Sequence, residues 1–169
     1  MNLSFNRRIA FLALAVLLLD QLTKLIVLRY LGLAEEKIII PGFFKFVHWG
    51  NTGAAWSLFR GQNGRLAVAA AIALVALFIY RHHFEVHTVA GQCSLGLVYG
   101  GIIGNLLDRI HYHHVIDFIY FYVTRRDGED VGFPAFNVAD SAICVGVGLL
   151  VILSWQSEPR KLLPARPKN

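Results

Sequence analysis

Ionisable side chains set among apolar residues are the first places to look for chemistry, because a charge in such surroundings is costly unless it is paired or used. Asp20 and Lys24 stand four apart in the apolar run Ile9 to Leu28, so on a helix they share a face and can pair. Asn105, Asp108 and Arg109 share a face in the same way and close the run Gly100-Gly101-Ile102-Ile103-Gly104-Asn105-Leu106-Leu107-Asp108-Arg109. Asp117 lies between large apolar neighbours in His114-Val115-Ile116-Asp117-Phe118. Asn137 and Asp140 are three apart in Phe133-Pro134-Ala135-Phe136-Asn137-Val138-Ala139-Asp140-Ser141. Each group also has a plainer reading. Asp20 with Lys24 can be a packing pair, Asp108 with Arg109 a neutralised helix end, and Asn137 with Asp140 an N-cap with an acid in the first turn.

Two carboxylates sharing a partly dry site repel one another and both suffer from burial. Their proton affinities then separate, and one stays protonated near neutral pH. The ionised one can take a proton from water while the protonated one hydrogen-bonds a carbonyl oxygen as it becomes tetrahedral. That is aspartic-protease chemistry, with no metal and no covalent intermediate. A serine mechanism is weaker, since Ser141 adjoins Asp140, no Gly-x-Ser-x-Gly occurs, and no histidine is placed to serve it. His82, His83 and His87, then His111, His113 and His114, invite a metal, but their spacing matches no zinc pattern. No metal and no cofactor are expected.

The elements that must hold these residues are set by composition. Of 169 residues, 56% are hydrophobic and only 16% charged, with a mean hydropathy of +0.52. A soluble domain carries about 25% charged residues, and a chain this short cannot bury so much apolar surface in one core. Disorder is excluded by the same figures. The net charge of +5 comes without a basic run interleaved with exposed aromatics, which argues against nucleic acid. Cys93 and Cys144 are too few for a disulfide framework and read as small buried thiols.

Four apolar runs, Ile9 to Leu28, Leu66 to Tyr80, Thr88 to Leu107 and Phe136 to Trp155, predict membrane-spanning helices in a single domain of residues 1–169. The second reaches the needed length if Leu58 to Arg65 or Arg81 snorkels. Arg7 and Arg8 before an apolar stretch resemble a signal peptide, but Asp20, Gln21 and Lys24 follow in place of a cleavage site, so the helix is read as retained. Between the first two spans, Ile38-Ile39-Ile40, Pro41-Gly42 and the aromatics Phe43, Phe44, Phe46, Trp49 and Trp56 predict a short hairpin or curved sheet at the membrane surface, spanning about residues 37–57. Between the last two, a charged loop is expected over residues 120–132, with Arg125 to Asp130 in water and the segment as a whole serving as a movable cover.

The predicted fold is therefore an all-α polytopic membrane protein with four transmembrane helices and a small extracytoplasmic sheet between helices 1 and 2. Basic residues give little orientation by number. Arg7, Arg8, Arg81, Arg160, Lys161, Arg166 and Lys168 fall on one side, and Arg29, Lys37, Lys45, Arg60, Arg65, Arg109, Arg125 and Arg126 on the other. Early positive charge and the acids of the second group favour cytoplasmic termini. Asp108, Asp117 and Asp140 then all fall near the outer boundary.

Taken together, Asp20-Gln21-x-Thr23-Lys24, Asn51-Thr52-Gly53-Ala54-Ala55, Gly101-x-x-Gly104-Asn105-x-x-Asp108-Arg109, Val115-x-Asp117-Phe118 and Phe133-Pro134-x-Phe136-Asn137-x-Ala139-Asp140-Ser141 resemble the bacterial lipoprotein signal peptidases (signal peptidase II), in the family order. The resemblance implies an aspartic endopeptidase of the bacterial inner membrane. Such an enzyme removes signal peptides from prolipoproteins just before a cysteine bearing diacylglycerol. It implies Asp117 and Asp140 as the catalytic pair. Asp20, Lys24, Asn51, Gly53, Gly101, Asn105, Asp108, Arg109, Asn137 and Ala139 are implied as substrate-binding or supporting residues. The outer sheet resembles the family's substrate-cradling element. Trp56 stands where phenylalanine is commoner, and the segment Tyr120 to Gly132 is long and charged for the family. Expected partners are prolipoprotein substrates and membrane phospholipids, with the enzyme acting as a monomer.

The competing class is a small proton-coupled membrane carrier, with Asp20, Lys24, Asp117 and Asp140 relaying ions. An inverted repeat would favour that, and none is found. A noncatalytic scaffold is the third possibility. A peptidase needs its carboxylates at one depth and a relay needs them spread across the bilayer, and Asp117 and Asp140 converge.

Overall fold

A computed structural model describes residues 3–53, 59, 61–84 and 87–157, with side chains from Arg7 to Gln156. The expectations resting on Ala54, Ala55, Trp56, Leu58, Arg60, Arg160, Lys161, Arg166 and Lys168 lie outside the described residues.

Four long helices form where the apolar runs are: α1 (Leu3–Tyr30), α2 (Asn63–Tyr80), α3 (Val89–His111) and α4 (Val138–Ser157). All four are long and apolar enough to cross a membrane. Thr88 caps α3 by accepting a hydrogen bond on its hydroxyl from the Gly91 N–H (3.0 Å). The predicted spans thus extend at several ends, for example to His111 on α3. Phe136, expected to open the fourth span, lies outside α4 because its backbone is bridged to Ile119.

α3 is the centre of the bundle. Gly96 and Gly100 lie against Leu12, Ala13 and Val16 of α1, and a Cβ at Gly100 would come within 2.6 Å of the Ala13 carbonyl oxygen. On another face Gly101 meets α4, where a Cβ would come within 2.5 Å of the Ala139 carbonyl oxygen. Small residues at these points let three helix backbones approach closely, which is how helices associate when lipid removes the hydrophobic drive. α2 packs on the outside, chiefly against α3, and has no buried residue.

The expectation of an all-α chain with a sheet confined to the first connection is corrected by the strands. β1 (Glu36–Ile40) and β2 (Phe44–Asn51) lie between α1 and α2, while β3 (Val115–Thr124) and β4 (Asp130–Gly132) lie between α3 and α4. They join in one antiparallel sheet in the order β1-β2-β3-β4. Trp49 pairs with Asp117 and Asn51 with Val115, with an irregular register between Phe46 and Trp49. The segment 120–132, expected as a charged loop, is therefore a β-hairpin. Its charges from Arg125 to Glu129 occupy the turn and Asp130 opens β4, while Tyr120 and Tyr122 are buried and stacked (5.8 Å between rings). The predicted buried thiols are also corrected, since Cys144 is exposed and Cys93 only partly covered. In a membrane helix an apolar neighbourhood in sequence is satisfied by lipid as readily as by protein.

Candidate active site

The buried polar residues gather where the C-terminal halves of α1 and α3, the N-terminus of α4 and strand β3 meet. Asp20, Lys24, Asn105, Asp108, Asp117 and Asn137 are all buried. The i, i+4 pairing predicted for Asp20 and Lys24 is present at 2.8 Å, and the same ammonium also pairs with Asp108 at 2.7 Å. Every remaining acceptor on these two carboxylates is engaged. Asp20 accepts from the backbone N–H of Ala139 (2.9 Å) and Asp108 from that of Ile116 (3.2 Å). Gln21 donates to Asp108 (3.0 Å), Asp20 (3.2 Å) and the Gly104 carbonyl (3.3 Å). Gly104 has to be glycine here, because a Cβ would sit 2.5 Å from the Asp20 carboxylate oxygen.

Asp108 and Arg109 do not neutralise one another as the sequence suggested. Consecutive helical residues point about 100° apart, so Asp108 turns inward to Lys24 while Arg109 turns toward β2. There Arg109 donates to the carbonyls of Gly53 (3.1 Å) and Asn105 (3.3 Å).

Asp117 and Asp140 are held differently. Asp117 accepts from the side-chain amides of Asn51 and Asn137, one on each carboxylate oxygen, both at 2.9 Å. Asp140 accepts from the Asn105 amide (2.7 Å) and from the backbone N–H of Asn137 (3.2 Å). The Asp140 N–H in turn donates to Asn137 Oδ1 (2.9 Å), which makes Asn137 and Asp140 a reciprocal cap at the start of α4. The plain N-cap reading and the functional reading thus describe the same atoms. Asn137 touches both carboxylates and also donates to Asn105 (3.2 Å). Neither Asp117 nor Asp140 forms an ion pair among the described residues, in contrast to Asp20 and Asp108. Burial, reinforced by the charge of Asp140, pushes the Asp117 carboxyl up to about 7, against the opposing effect of its hydrogen bonds.

The sequence-predicted residues Asp20, Lys24, Asn51, Gly53, Gly101, Asn105, Asp108, Arg109, Asn137 and Ala139 all contribute to this region. Gly53 does so by its backbone, with its N–H donating to Asn51 Oδ1 (2.8 Å). Gly101 and Ala139 do so by being small. Gln21, present in the first motif but not among the expected site residues, also joins the cluster, and a polar amide beside Asp20 in an apolar run is the signal for it. Among the described residues no three His, Cys, Asp or Glu side chains are gathered as a metal site requires.

The fold and the site define a polytopic membrane protein with a buried carboxylate–amide cluster at one end of its helices. Residues 12–156 match the family model described as signal peptidase (SPase) II, and the chain belongs to that family of proteases. It is 37% identical over 159 residues to the lipoprotein signal peptidase of Syntrophotalea carbinolica, covering 92% of this chain and 96% of that one. It is 40% identical over 141 residues to the lipoprotein signal peptidase of Symbiobacterium thermophilum, covering 83% and 90%. Its fold is similar to that of a bacterial membrane enzyme determined by the in meso method at 2.3 Å resolution. In that comparison the TM-score is 0.78 and the identity 28%, over 94% of this chain and 93% of that one. A second bacterial membrane enzyme, at 1.9 Å, gives a TM-score of 0.71 and 30% identity over 88% and 92%. Family membership and the four spanning helices make this a bacterial inner-membrane protein.

Proposed function

We propose that this protease is an aspartic endopeptidase that cleaves signal peptides from prolipoproteins before the diacylglyceryl-modified cysteine, with Asp117 and Asp140 as its catalytic pair. The observation that carries the reading is the difference among four clustered carboxylates, of which Asp20, Asp108 and Asp117 are buried and Asp140 is partly covered. Asp20 and Asp108 share the Lys24 ammonium, whereas among the described residues the Asp117 and Asp140 carboxylates accept only from neutral donors and are joined through Asn137. Two linked carboxylates without a direct ion-pair partner share a proton, one ionised and one not.

In the reaction the ionised carboxylate takes a proton from water as its oxygen attacks the scissile carbonyl carbon. The protonated carboxyl gives its proton to the carbonyl oxygen, and a tetrahedral diol results. Passing a proton to the amide nitrogen then breaks the C–N bond, releasing a carboxyl group and an amine. Asn51, Asn105 and Asn137 orient the pair. Arg109 and Gly53 lie at the mouth, where an extended substrate backbone is bound. Lys24, Asp20 and Asp108, with the small residues Gly101 and Ala139, hold α1, α3 and α4 in register.

The sheet joins the two connections that alternate helices leave on one side of the membrane. With cytoplasmic termini that side is the outer one, so the site lies near the outer leaflet, among phospholipids. The proposed residues come from one chain, which suits a monomer. A proton carrier would need charges along the bilayer, and here they gather at one end of the helices.

The test is to incubate the purified enzyme with a prolipoprotein and with the same protein lacking its diacylglyceryl group. Release of the signal peptide from the lipidated form alone is expected. Equal cleavage of both forms would refute the substrate assignment.

A further inference from the structure

We propose that Asn63, at the start of α2, is a positioning residue for Asp117, acting through Arg109, Gly53 and Asn51. This rests on the reading of Asp117 given above. Four consecutive hydrogen bonds connect the two ends. Asn63 Nδ2 donates to the Arg109 carbonyl (3.0 Å), and Arg109 Nη2 donates to the Gly53 carbonyl (3.1 Å). The Gly53 N–H donates to Asn51 Oδ1 (2.8 Å), and Asn51 Nδ2 donates to Asp117 (2.9 Å).

Each link constrains the next. Arg109 lies in the last turn of α3, where carbonyls have no partner within the helix and need a donor from outside. Asn63 supplies one, fixing the turn from which the guanidinium reaches Gly53. Because the Gly53 N–H occupies Asn51 Oδ1, the Asn51 amide has one orientation left, with its NH₂ toward Asp117. The N-cap position of α2 belongs to Gln62, which makes no side-chain capping bond, and Asn63 is the first helical residue. Its side chain points at α3, and its own Oδ1 is buried with no hydrogen-bond partner among the described residues. Since α2 has no buried residue, apolar packing does little to fix its start, and this polar tie does so.

The test compares Asn63→Ala, Asn63→Asp and Asn63→Gln in the full chain, with kcat, KM and the pH profile measured separately. For Asn63→Ala, kcat should fall about 3- to 30-fold with little change in KM. The limb of the profile that reports Asp117 should move to higher pH, because the loosened Asn51 bond favoured the charged carboxylate. Asn63→Asp, with an acceptor where the donor was, should behave like Asn63→Ala. Asn63→Gln, which keeps an NH₂ donor, should recover much of the rate. Unchanged kcat in Asn63→Ala, a lower kcat with an unmoved limb, or recovery by Asn63→Asp equal to that by Asn63→Gln would each overturn the relay. Asp117→Asn is assayed alongside. Activity there would refute the catalytic pair itself, whereas inactivity there with a normal Asn63→Ala refutes only the relay.

Discussion

Asp117 carries two neutral donors on its carboxylate and no ion-pair partner among the described residues, and burial followed by the charge of Asp140 lifts its pKa from an ordinary 3.8 to about 7, against its hydrogen bonds and the more distant charge of Lys24. Cleavage should therefore show an inflection near pH 7, and Asp117→Asn and Asp140→Asn should each lose on the order of 10²- to 10⁴-fold in rate while remaining inserted. Near-normal turnover in either variant would exclude the pair. The same shift has a thermodynamic sign. Between pH 3.8 and about 7 the folded Asp117 holds a proton that the unfolded chain has released. Stability present below the lower value is therefore lost as pH rises through this window, by up to about 1.4 kcal/mol per pH unit. Asp117→Asn lacks that loss, so unfolding in bicelles should show the wild type declining relative to the variant from pH 4 to 7 and running parallel above. Parallel curves throughout would mean Asp117 is not raised by burial. These carboxylates were legible in the sequence because an acid flanked by large apolar residues has few plain explanations. The partner of Asp108 was not. Adjacency suggested Arg109, whereas helix geometry selects Lys24 from eighty-four residues away, and amides such as Gln21 and Asn63 look alike in sequence whether buried or exposed.

Two lysines show how the elements are joined. Lys45, buried in β2, reaches Glu36 of β1 (2.5 Å) and Asp130 of β4 (2.9 Å), and it lies over the rings of Tyr120 (5.4 Å) and Tyr122 (4.7 Å) of β3. Thr124 adds a bond to Asp130 (2.7 Å). Burial alone would lower the Lys45 pKa, and its bonds to Glu36 and Asp130 reverse that and raise it. Asp130 in turn is held below its ordinary value by Lys45. One ammonium thus ties all four strands. Its carboxylate partners reach water, so Lys45→Met should cost only about 1–2 kcal/mol and chiefly free the β3–β4 hairpin. Faster hydrogen exchange at Val123 and Val131 with the helices unaffected would show this. Lys24 lacks that escape. Lys24→Met leaves Asp20 and Asp108 buried without a counter-ion, a loss of about 3–5 kcal/mol, and the helical core should melt in the same experiment. Equal effects from the two variants would contradict the difference in solvation on which both expectations rest. The helices were legible because apolar runs of spanning length have one common outcome. Strand β3 was less so. Its first four residues are all buried, which erases the alternation that marks a strand, and the charges at 125–130 drew attention to a turn rather than to the strand before it.

Across the whole molecule, α1, α3 and α4 form a close core at glycine contacts, α2 stands outside it, and both polar connections merge into one sheet at one end of the bundle. That arrangement puts both polar connections on one side of the membrane, a constraint the evenly divided basic residues do not supply. The sheet and the turn containing Gly128 must share one side of the membrane, and the short turn Arg81–His83 must lie on the other, as an even number of spans requires of the termini. The proposed catalytic pair lies beside the sheet, Asp117 in β3 and Asp140 at the start of α4, so under that proposal water and the cleavage point of the substrate meet at the sheet end. Single cysteines placed at residues 82 and 128, in a chain with Cys93 and Cys144 replaced, report the two sides independently. In intact cells a membrane-impermeant maleimide should label residue 128 and leave residue 82 unlabelled until the membrane is opened. Labelling of residue 82 alone would invert the protein and move its site to the cytoplasmic leaflet. Labelling of both in sealed cells would break the four-span arrangement itself.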